Sequence, residues 1–311
     1  MKKVLIMLST YNGNRYLREQ LDSLYSQEGV DIHILVRDDE SKDNTMSILE
    51  QYFVERGNMS IIKGSNIGAG PSFLSLVNDA ATKFTEYDYY AFSDQDDVWF
   101  KNKIISGVDA LENRNNKYKL YISNSTITDA ELHPISPSGI KFVNSFGANL
   151  VANHILGCTM LLNKSLLLEV NKINTVSYKI SNGEIPIHDG WTAFVAYSLG
   201  ADVVYNAESM MYYRQHGNNV IGSGGGLFRI LLNRIKRYTG TVTHVKANRS
   251  IIALQVLGNE IPKKNKQLME LVANYKGNIK SKVRLLLDKR MYEYGFLDDV
   301  GTFFLILFNR F

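Results

Sequence analysis

The feature that most constrains the fold is a regular alternation of short apolar runs and amphipathic segments over roughly residues 3–124. The apolar runs predict buried strands at 3–9, 31–38, 59–63 and 87–93. Between them, apolar residues recur at helical spacing, as Leu17, Leu21 and Leu24 do. Strands that alternate with helices of about ten residues indicate βαβ crossovers and a mainly parallel sheet. We therefore predict an α/β fold for this part of the chain.

Beyond residue 124 the alternation weakens. The sequence predicts a loop over 133–139, a strand over 157–163, a helix over 191–199 and two strands near 203–205 and 210–213. A Ser-Gly-Gly-Gly run at 223–226 predicts a flexible break, and the chain after it reads as helical and basic. We accordingly place a catalytic or binding domain at 1–222 and a helical region at 223–311.

Charge is distributed unevenly along the chain. The net charge is +4, but residues 225–311 contain 16 Lys and Arg against 6 Asp and Glu, whereas residues 1–224 contain 19 against 25. An acidic body with a basic carboxyl-terminal part predicts separate tasks, one of which involves an anionic surface. Nucleic acid is disfavoured as that partner because no nucleic-acid-binding motif accompanies the charge.

The single cysteine, Cys158, excludes an intramolecular disulfide and a cysteine-based zinc site, so we expect a reducing, cytoplasmic location. The amino end lacks the pattern of a signal peptide. No apolar stretch approaches the roughly 20 residues needed to span a bilayer. Cys158 itself is expected to pack in the core.

Polar clusters follow three of the predicted strands: Thr-Tyr-Asn at 10–12, Asp-Asp at 38–39 and Asp-Gln-Asp-Asp at 94–97. In an open parallel sheet, ligands bind at the carboxyl ends of the strands, so these clusters are expected to converge. Asp94 and Asp96 can present hard oxygen ligands to Mg²⁺ or Mn²⁺. Aspartates in loops are more often solvated turn residues, and this motif alone is weak.

Five ordered motifs carry a family resemblance. They are Ser-Thr-Tyr-Asn at 9–12, Asp-Asp-Glu-Ser-Lys-Asp-Asn-Thr at 38–45, Ser-Asp-Gln-Asp-Asp-Val-Trp at 93–99, His-Asp-Gly-Trp at 188–191 and Tyr-Arg-Gln-His-Gly-Asn-Asn-Val at 213–220. The set resembles family 2 glycosyltransferases with the Rossmann-like GT-A fold. The last two motifs resemble the rhamnosyltransferase-like branch that builds bacterial surface polysaccharides. The resemblance covers about residues 1–222.

The resemblance implies a role for each matching residue of this sequence. Nucleotide and sugar contacts would come from Thr10, Tyr11, Asn12, Asp38 and Asp94, with Asp38 accepting a hydrogen bond from the base. Asp96 would bind the divalent ion, Mg²⁺ or Mn²⁺, with His216 as a further ligand, and Asp189 would be the general base. Glu40 departs from the pattern, because many relatives have glycine there.

The implied reaction is an inverting, metal-dependent transfer of a sugar from a nucleotide diphosphate donor to a saccharide or polyprenyl-linked acceptor. One base without an enzyme nucleophile means a single displacement. Rhamnose from dTDP-rhamnose is favoured; a UDP-hexose donor and a non-catalytic subunit of an envelope assembly complex are the alternatives. A nucleotidyltransferase or a dehydrogenase is disfavoured because the loop after the first strand lacks their glycine-rich motifs. The oligomeric state does not follow from the sequence.

Several single residues have a second interpretation. Asp189 could only cap a helix, His216 could be an ordinary loop histidine, and Arg214 could contact phosphate or form a surface ion pair. The basic region predicts amphipathic helices near 227–237 and 280–290 and ends in an apolar run at 303–308. It could lie on the inner face of an anionic membrane, as a peripheral protein does, or pack on the catalytic domain.

Overall fold

The computed structural model describes residues 1–138, 142–152, 155–180, 188–216 and 245–311. The strands are β1 Lys2–Thr10, β2 Val30–Asp38, β3 Met59–Lys63, β4 Tyr89–Ser93, β5 Val98–Trp99, β6 Lys119–Thr128, β7 Pro134–Pro137, β8 Met160–Asn163 and β9 Asp202–Arg214. The helices are α1 Leu17–Tyr25, α2 Thr45–Arg56, α3 Ala69–Lys83, α4 Lys103–Glu112, α5 Phe146–Val151, α6 Lys164–Ile180, α7 His188–Ser198, α8 Val245–Leu257, α9 Lys263–Asn274, α10 Ile279–Leu286 and α11 Phe296–Leu307. Short 3₁₀ turns occur at Gly157–Thr159 and Lys289–Met291.

The chain divides into two compact units. The first comprises Met1–Lys141, Ile155–Thr192 and Ala201–His216. The second comprises Phe142–His154, Ala193–Gly200 and Gly217–Phe311. The boundary expected between residues 222 and 223 lies outside the described residues and stays a prediction.

The first unit is built on one sheet with the strand order β3-β2-β1-β4-β8-β6-β9-β5, and β7 pairs with β6. The four strands β3, β2, β1 and β4 are all parallel. Beyond them β8 pairs antiparallel with β4 and β6, while β9 runs parallel to β6. The central strand β1 is fully buried from Val4 to Leu8 because both faces of a parallel sheet are covered. The predicted α/β class is confirmed.

The strand register sets the position of the polar clusters. In the parallel pairs, Thr10 lies opposite Asp38, and Leu8 lies opposite Ser93. The residues that follow β1, β2 and β4 therefore leave the sheet at the same edge. This register brings together the three clusters that the sequence placed after these strands.

Three local predictions were wrong at least in part. The strand expected over 157–163 begins only at Met160, after a 3₁₀ turn at Gly157–Thr159. The proline-rich segment expected as a loop contains β7, Pro134–Pro137, which pairs with β6 alone. Proline lacks an amide N–H, so a strand of this composition is confined to a position with one neighbour. The two strands expected near 203–205 and 210–213 are one strand, β9, whose register against β6 shifts near Asn124.

The described part of the second unit is helical, as expected for the carboxyl-terminal region. Its buried side chains include Leu268, Met269 and Val272 of α9. Tyr275 donates its hydroxyl to the Phe311 carbonyl at 3.1 Å and accepts from the Phe311 amide at 2.9 Å, which fixes the last residue against α9. The basic helix expected near 227–237 lies outside the described residues. Among the described helices, none combines the length and the hydrophobicity that a bilayer crossing requires.

Candidate active site

The Asp38 carboxylate is the centre of a small hydrogen-bond network at the ends of β1 and β2. Its Oδ1 accepts from Thr10 Oγ1 at 3.0 Å and from Ser41 Oγ at 2.6 Å. Its Oδ2 accepts from the Ser41 amide at 2.9 Å. The side chain is buried, so these donors fix its orientation. A carboxylate oxygen accepts more than one hydrogen bond, and Asp38 keeps acceptor capacity for a ligand.

The loops after β1 and β2 hold each other in left-handed turns. Asn12 has φ 48° and Glu40 has φ 68°. The Asn12 amide donates to Ser41 Oγ at 2.9 Å, and Asn12 Oδ1 accepts from the Lys42 amide at 2.8 Å. Residue 40 therefore has a backbone conformation that favours glycine, the residue that the family resemblance implies there. Glu40 keeps that conformation, and its carboxylate pairs with Lys42 Nζ at 2.9 Å.

Gln95, for which the sequence indicates no role, joins the loop after β1 to the acidic loop after β4. Its Oε1 accepts from the Tyr11 amide at 2.8 Å, and its Nε2 donates to the Tyr11 carbonyl at 3.0 Å. This two-bond pairing leaves the Tyr11 side chain exposed. A Cβ at Gly13 would collide with the end of the Gln95 side chain, so a larger residue there would displace Gln95 from this pairing.

Asp39 is a second residue without a predicted role. It is buried, it pairs with Arg37 Nη2 at 3.0 Å, and its Oδ2 accepts from the amides of Ile67 and Gly68 at 3.0 and 2.8 Å. Asp39 thereby anchors the segment that leads into α3. The only signal in the sequence was its position beside Asp38, which does not distinguish a ligand contact from an anchor.

The acidic loop at 94–97 concentrates negative charge. Burial, with the nearby charges of Asp96 and Asp189, raises the pKa of Asp94 to about 7. Burial and the charges of Asp96 and Asp94 also raise the pKa of Asp97 well above its usual range. Asp97 Oδ1 accepts from the Arg214 amide at 3.2 Å, while its buried Oδ2 has no hydrogen-bond partner among the described residues. The carboxyl groups of Asp94 and Asp97 therefore take up a proton more readily than ordinary aspartates do.

The two expected metal ligands lie side by side. His216 Nε2 is 2.7 Å from Asp96 Oδ2, and the imidazole packs on the Tyr16 ring with centroids 4.9 Å apart. A different trio, Asp94, Asp97 and Cys158, has ligand atoms within 4.8 Å of one another. Burial raises the pKa of the Cys158 thiol well above its usual range, so the thiol keeps its proton and is a poor ligand for a hard cation.

The Arg214 side chain links the acidic loop at 94–97 to α1 and to the turn near Ala130. Its Nε donates to the Asp96 carbonyl at 2.8 Å, and its terminal nitrogens donate to Glu19 Oε2 and the Ala130 carbonyl. The guanidinium lies over the Tyr16 ring at 4.3 Å and is 2 % exposed. Arg214 therefore forms an ion pair, with Glu19, as one of its two interpretations predicts. The guanidinium in this pair is buried, whereas a surface position was expected.

Lys103 is a buried cation below the acidic loop. Its Nζ lies 4.4 Å from the centroid of the Trp99 ring. Burial lowers its pKa to about 8, although the nearby Cys158 and Asp97 act in the opposite direction.

Asp189 lies in the first turn of α7, close enough to the acidic loop for its charge to raise the pKa of Asp94. Its Oδ1 accepts from the Gly190 amide, so it also serves the helix start. The preceding residue, His188, is buried between Phe73 and Phe92, with ring centroids 3.9 and 4.8 Å away. Burial lowers the pKa of His188 to about 3, and the imidazole is neutral near pH 7.

Comparisons with known proteins agree with this geometry. Residues 5–170 match the family model for glycosyl transferase family 2. The chain is 31 % identical to the dTDP-rhamnosyl transferase RfbG of Shigella flexneri over 251 residues, which cover 76 % of this chain and 83 % of RfbG. It is 25 % identical to the putative teichuronic acid biosynthesis glycosyltransferase TuaG of Bacillus subtilis, over 50 % of this chain and 59 % of TuaG.

Solved structures share the fold. The structure of S. aureus TarS 1-349 in complex with UDP-GlcNAc superposes with a TM-score of 0.55 at 16 % identity, over 98 % of this chain and 90 % of that chain. The mannosyltransferase PcManGT from Pyrobaculum calidifontis, in complex with GDP-Man and Mn²⁺, superposes with a TM-score of 0.51 at 13 % identity, over 99 % and 88 %. The fold is that of the GT-A glycosyltransferases. The match to the family model and the identity to RfbG together show that this chain is a glycosyltransferase and belongs to glycosyl transferase family 2.

Proposed function

We propose that the protein transfers rhamnose from dTDP-rhamnose to a saccharide or polyprenyl-linked acceptor, with inversion at the anomeric carbon. One observation carries this proposal. The hydrogen-bond network at Asp38 and the acidic loop at 94–97 lie at the same ends of the parallel strands, and Asp189 is close to Asp94 of that loop. The identity to a protein named as a dTDP-rhamnosyl transferase supports the donor. The product would enter a bacterial surface polysaccharide, made on the cytoplasmic side of the membrane.

The nucleotide would be held by the loops after β1 and β2. Asp38 would accept a hydrogen bond from the base, with its orientation already fixed by Thr10 and Ser41. The exposed Tyr11 ring can cover an aromatic base, because its backbone is held by Gln95. Asn12 would contact the nucleotide from its left-handed turn. Asp94 would face the ribose or the sugar.

The donor set of the acidic loop fits a divalent cation. A carboxylate oxygen of Asp96 and a ring nitrogen of His216 are adjacent, and Asp97 has a buried carboxylate oxygen without a partner among the described residues. Carboxylate and imidazole are ligands that Mg²⁺ and Mn²⁺ accept. We assign Asp96 and His216 as the residues that would hold the cation. When bound, such an ion stabilises the negative charge of the leaving diphosphate.

Asp189 would take the proton from the acceptor hydroxyl as that oxygen attacks the anomeric carbon. A positioned carboxylate typically contributes 10²- to 10⁴-fold to such a step. The attack forms one glycosidic bond while the bond to the diphosphate breaks, so the configuration inverts. The neutral His188 beside Asp189 leaves the carboxylate without a competing positive charge from that side chain.

A product-release assay tests the proposal. Purified protein with Mn²⁺ or Mg²⁺ is incubated with a soluble saccharide acceptor and a panel containing dTDP-rhamnose, UDP-glucose, UDP-galactose and GDP-mannose. We expect turnover with dTDP-rhamnose and a product of inverted configuration by NMR. Turnover with a UDP-hexose alone would replace the donor assignment, and a retained configuration would contradict the single displacement.

A further inference from the structure

The last helix of the chain turns its apolar side toward solvent. Six exposed apolar residues of α11 and its carboxyl end are spaced at i, i+4, i+7, i+8, i+11 and i+12, which is one helix face: Phe296, Val300, Phe303, Phe304, Leu307 and Phe308. Leu297, next to Phe296, is exposed as well. Phe296 is 80 % exposed and Phe308 is 65 % exposed. Gly301, Thr302 and Ile306, on the other side, are buried. This distribution is the reverse of that of a surface helix of a soluble protein.

The neighbouring helix α10, which packs on α11, adds a second apolar stripe. Ile279, Val283 and Leu287 are exposed at i, i+4 and i+8, and Leu287 is 75 % exposed. Of the eighteen large apolar side chains that are exposed in the described residues, ten lie within residues 279–308. Single exposed apolar residues are normal on a protein surface, but a contiguous cluster marks an interaction site.

The surface beside the α10 stripe is basic, whereas α11 carries two acidic residues, Asp298 and Asp299, in its first turn. The segment 276–290 contains one acidic residue, Asp288, and six basic ones: Lys276, Lys280, Lys282, Arg284, Lys289 and Arg290. Lys280 and Arg284 are exposed and each follows a residue of the α10 stripe, Ile279 and Val283. Arg290 pairs with Asp288 within this segment, which leaves the balance of charge positive. Apolar side chains with adjacent cations complement the surface of an anionic bilayer, in which apolar acyl chains lie beneath negatively charged headgroups.

Length decides how such a surface could meet a membrane. α11 has 12 residues, which at about 1.5 Å per residue span roughly 18 Å, well below the roughly 30 Å of a bilayer core. The helix cannot cross the bilayer. Helices with an exposed apolar face instead lie in the plane of the interface, and basic side chains beside them, here those of α10, add attraction to anionic lipids.

We propose that the face formed by the exposed apolar residues of α10 and α11, with Lys280 and Arg284 at its edge, docks on an anionic phospholipid bilayer. The phenylalanines would enter the boundary between headgroups and acyl chains, and the two basic side chains would bind lipid phosphates. This inference is independent of the donor assigned above. Docking on the bilayer would bring the enzyme to the surface on which a lipid-linked acceptor is concentrated.

Vesicle co-sedimentation of the full-length chain tests the proposal. Vesicles that contain phosphatidylglycerol are compared with vesicles of phosphatidylcholine alone, from low salt to about 0.5 M salt. We expect binding to the anionic vesicles that weakens steeply as salt rises. Absence of binding at low salt, or equal binding to both vesicles, would overturn the proposal.

Two sets of variants separate the apolar and the electrostatic contributions. The triple variant Phe296→Ser/Phe304→Ser/Phe308→Ser should weaken vesicle binding by about 100-fold or more, since several buried aromatic side chains are lost. The variant Lys280→Gln/Arg284→Gln should weaken it by about tenfold or more and reduce its salt dependence. The matched controls are Phe53→Ser/Val54→Ser on α2 and Lys63→Gln/Lys101→Gln, all exposed residues of the first unit. Equal losses in the controls would overturn the assignment to this face.

Two further measurements keep the result unambiguous. Circular dichroism and soluble-acceptor turnover should be unchanged in the triple variant, because the altered side chains are exposed and outside the catalytic residues. Analytical ultracentrifugation tests whether a second copy of the chain occupies the face. A dimer that the triple variant abolishes, together with an absence of vesicle binding, would replace the membrane with a partner subunit.

Discussion

At the residue scale, Asp189 carries two interpretations that a single substitution separates. Its carboxylate accepts from the Gly190 amide at the start of α7 and also acts electrostatically on Asp94. If the carboxylate only caps the helix, it contributes to the free energy of unfolding. If it is the general base, it contributes to the rate of transfer. Asparagine keeps the size and the hydrogen-bonding capacity of the side chain and removes its basicity.

We expect Asp189→Asn to reduce transfer by at least about 10²-fold and to change donor affinity little, because the nucleotide contacts are assigned to Thr10 and Asp38. Calorimetric titration of the donor and product formation on the same preparation measure both quantities. Asp298→Asn, which alters an acidic residue in the first turn of α11, is the matched control. Near wild-type transfer by Asp189→Asn would refute the base assignment.

His188 makes a prediction about stability and pH. Burial lowers its pKa from 6.5 to about 3 in the folded protein, so the unfolded chain binds the proton more readily. The stabilisation is complete above pH 6.5 and is lost as the pH falls toward 3, at about 1.4 kcal/mol per pH unit. Between pH 7 and pH 5 this group alone should lower the free energy of unfolding by about 2 kcal/mol.

Urea unfolding of wild type and His188→Gln at pH 5, 6 and 7 measures this contribution. The stability advantage of the wild type over the variant should shrink by about 2 kcal/mol from pH 7 to pH 5. His133→Gln, which removes an exposed imidazole, serves as the control. A constant difference between wild type and His188→Gln would show that the buried imidazole takes up its proton without opposing folding.

At the scale of elements, the end of β9 depends on Arg214, whose side chain reaches α1, the acidic loop and the turn near Ala130. Lysine carries the same charge but has one nitrogen in place of the planar fork. We expect Arg214→Lys to lower the free energy of unfolding by about 2 kcal/mol, because buried acceptors lose their donors. Urea unfolding measures the loss, and Arg18→Lys on the exposed side of α1 is the control.

Arg214→Lys should also reduce kcat without abolishing nucleotide binding. The Arg214 side chain contacts the backbone of Asp96, whereas the nucleotide contacts are assigned to the hydrogen-bond network at Asp38. An Arg214→Lys protein with wild-type stability and wild-type kcat would show that the acidic loop needs no support from β9. Loss of nucleotide binding with retained stability would instead indicate that Arg214 contacts the donor.

Sequence patterns predicted the elements that depend on local periodicity. The limits of β3 were predicted to the residue, and those of β1 and β2 to within one residue, because buried strands leave runs of apolar residues. β7 was missed because its prolines usually indicate turns. A strand can contain prolines when it pairs with a single neighbour, and the sequence alone does not show that β7 pairs only with β6. The continuity of β9 depends on pairing with β6, which no local pattern encodes.

The candidate site divides in the same way. Asp38, Asp94 and Asp96 follow buried strands and could be predicted to converge from the topology of a parallel sheet. Gln95 and Asp39 act through backbone groups of distant loops, and the buried state of Arg214 depends on Glu19 and Tyr16. Such contacts arise from the packing of segments far apart in the chain.

At the scale of the whole molecule, ligand binding and stability are linked. If Asp96 and His216 hold a divalent cation that binds the diphosphate, dTDP should stabilise the protein more when the cation is present than when it is absent. At about 100 times the dissociation constant the stabilisation is about 2.7 kcal/mol, which raises the melting temperature by several degrees. Thermal melts with dTDP and Mn²⁺, with and without EDTA, measure the effect.

In the same melts, Asp96→Asn should lose the cation-dependent part of the shift, while Asp109→Asn, an exposed residue of α4, should keep it. EDTA should also stop transfer by the wild type. Full transfer in excess EDTA, or an undiminished shift in Asp96→Asn, would contradict the metal assignment.

The discontinuous composition of the second unit affects how such enzymes can diversify. That unit draws on Phe142–His154 and Ala193–Gly200 as well as on the carboxyl-terminal residues, and α7, which begins with His188 and Asp189, contributes to both units. One crossover between two related genes therefore cannot exchange the unit intact. Hybrid enzymes made by swapping only the end of the gene would inherit a core from two parents. Changes to the core of this unit should consequently accumulate by stepwise point substitution, with compensating changes in three separate regions of the gene.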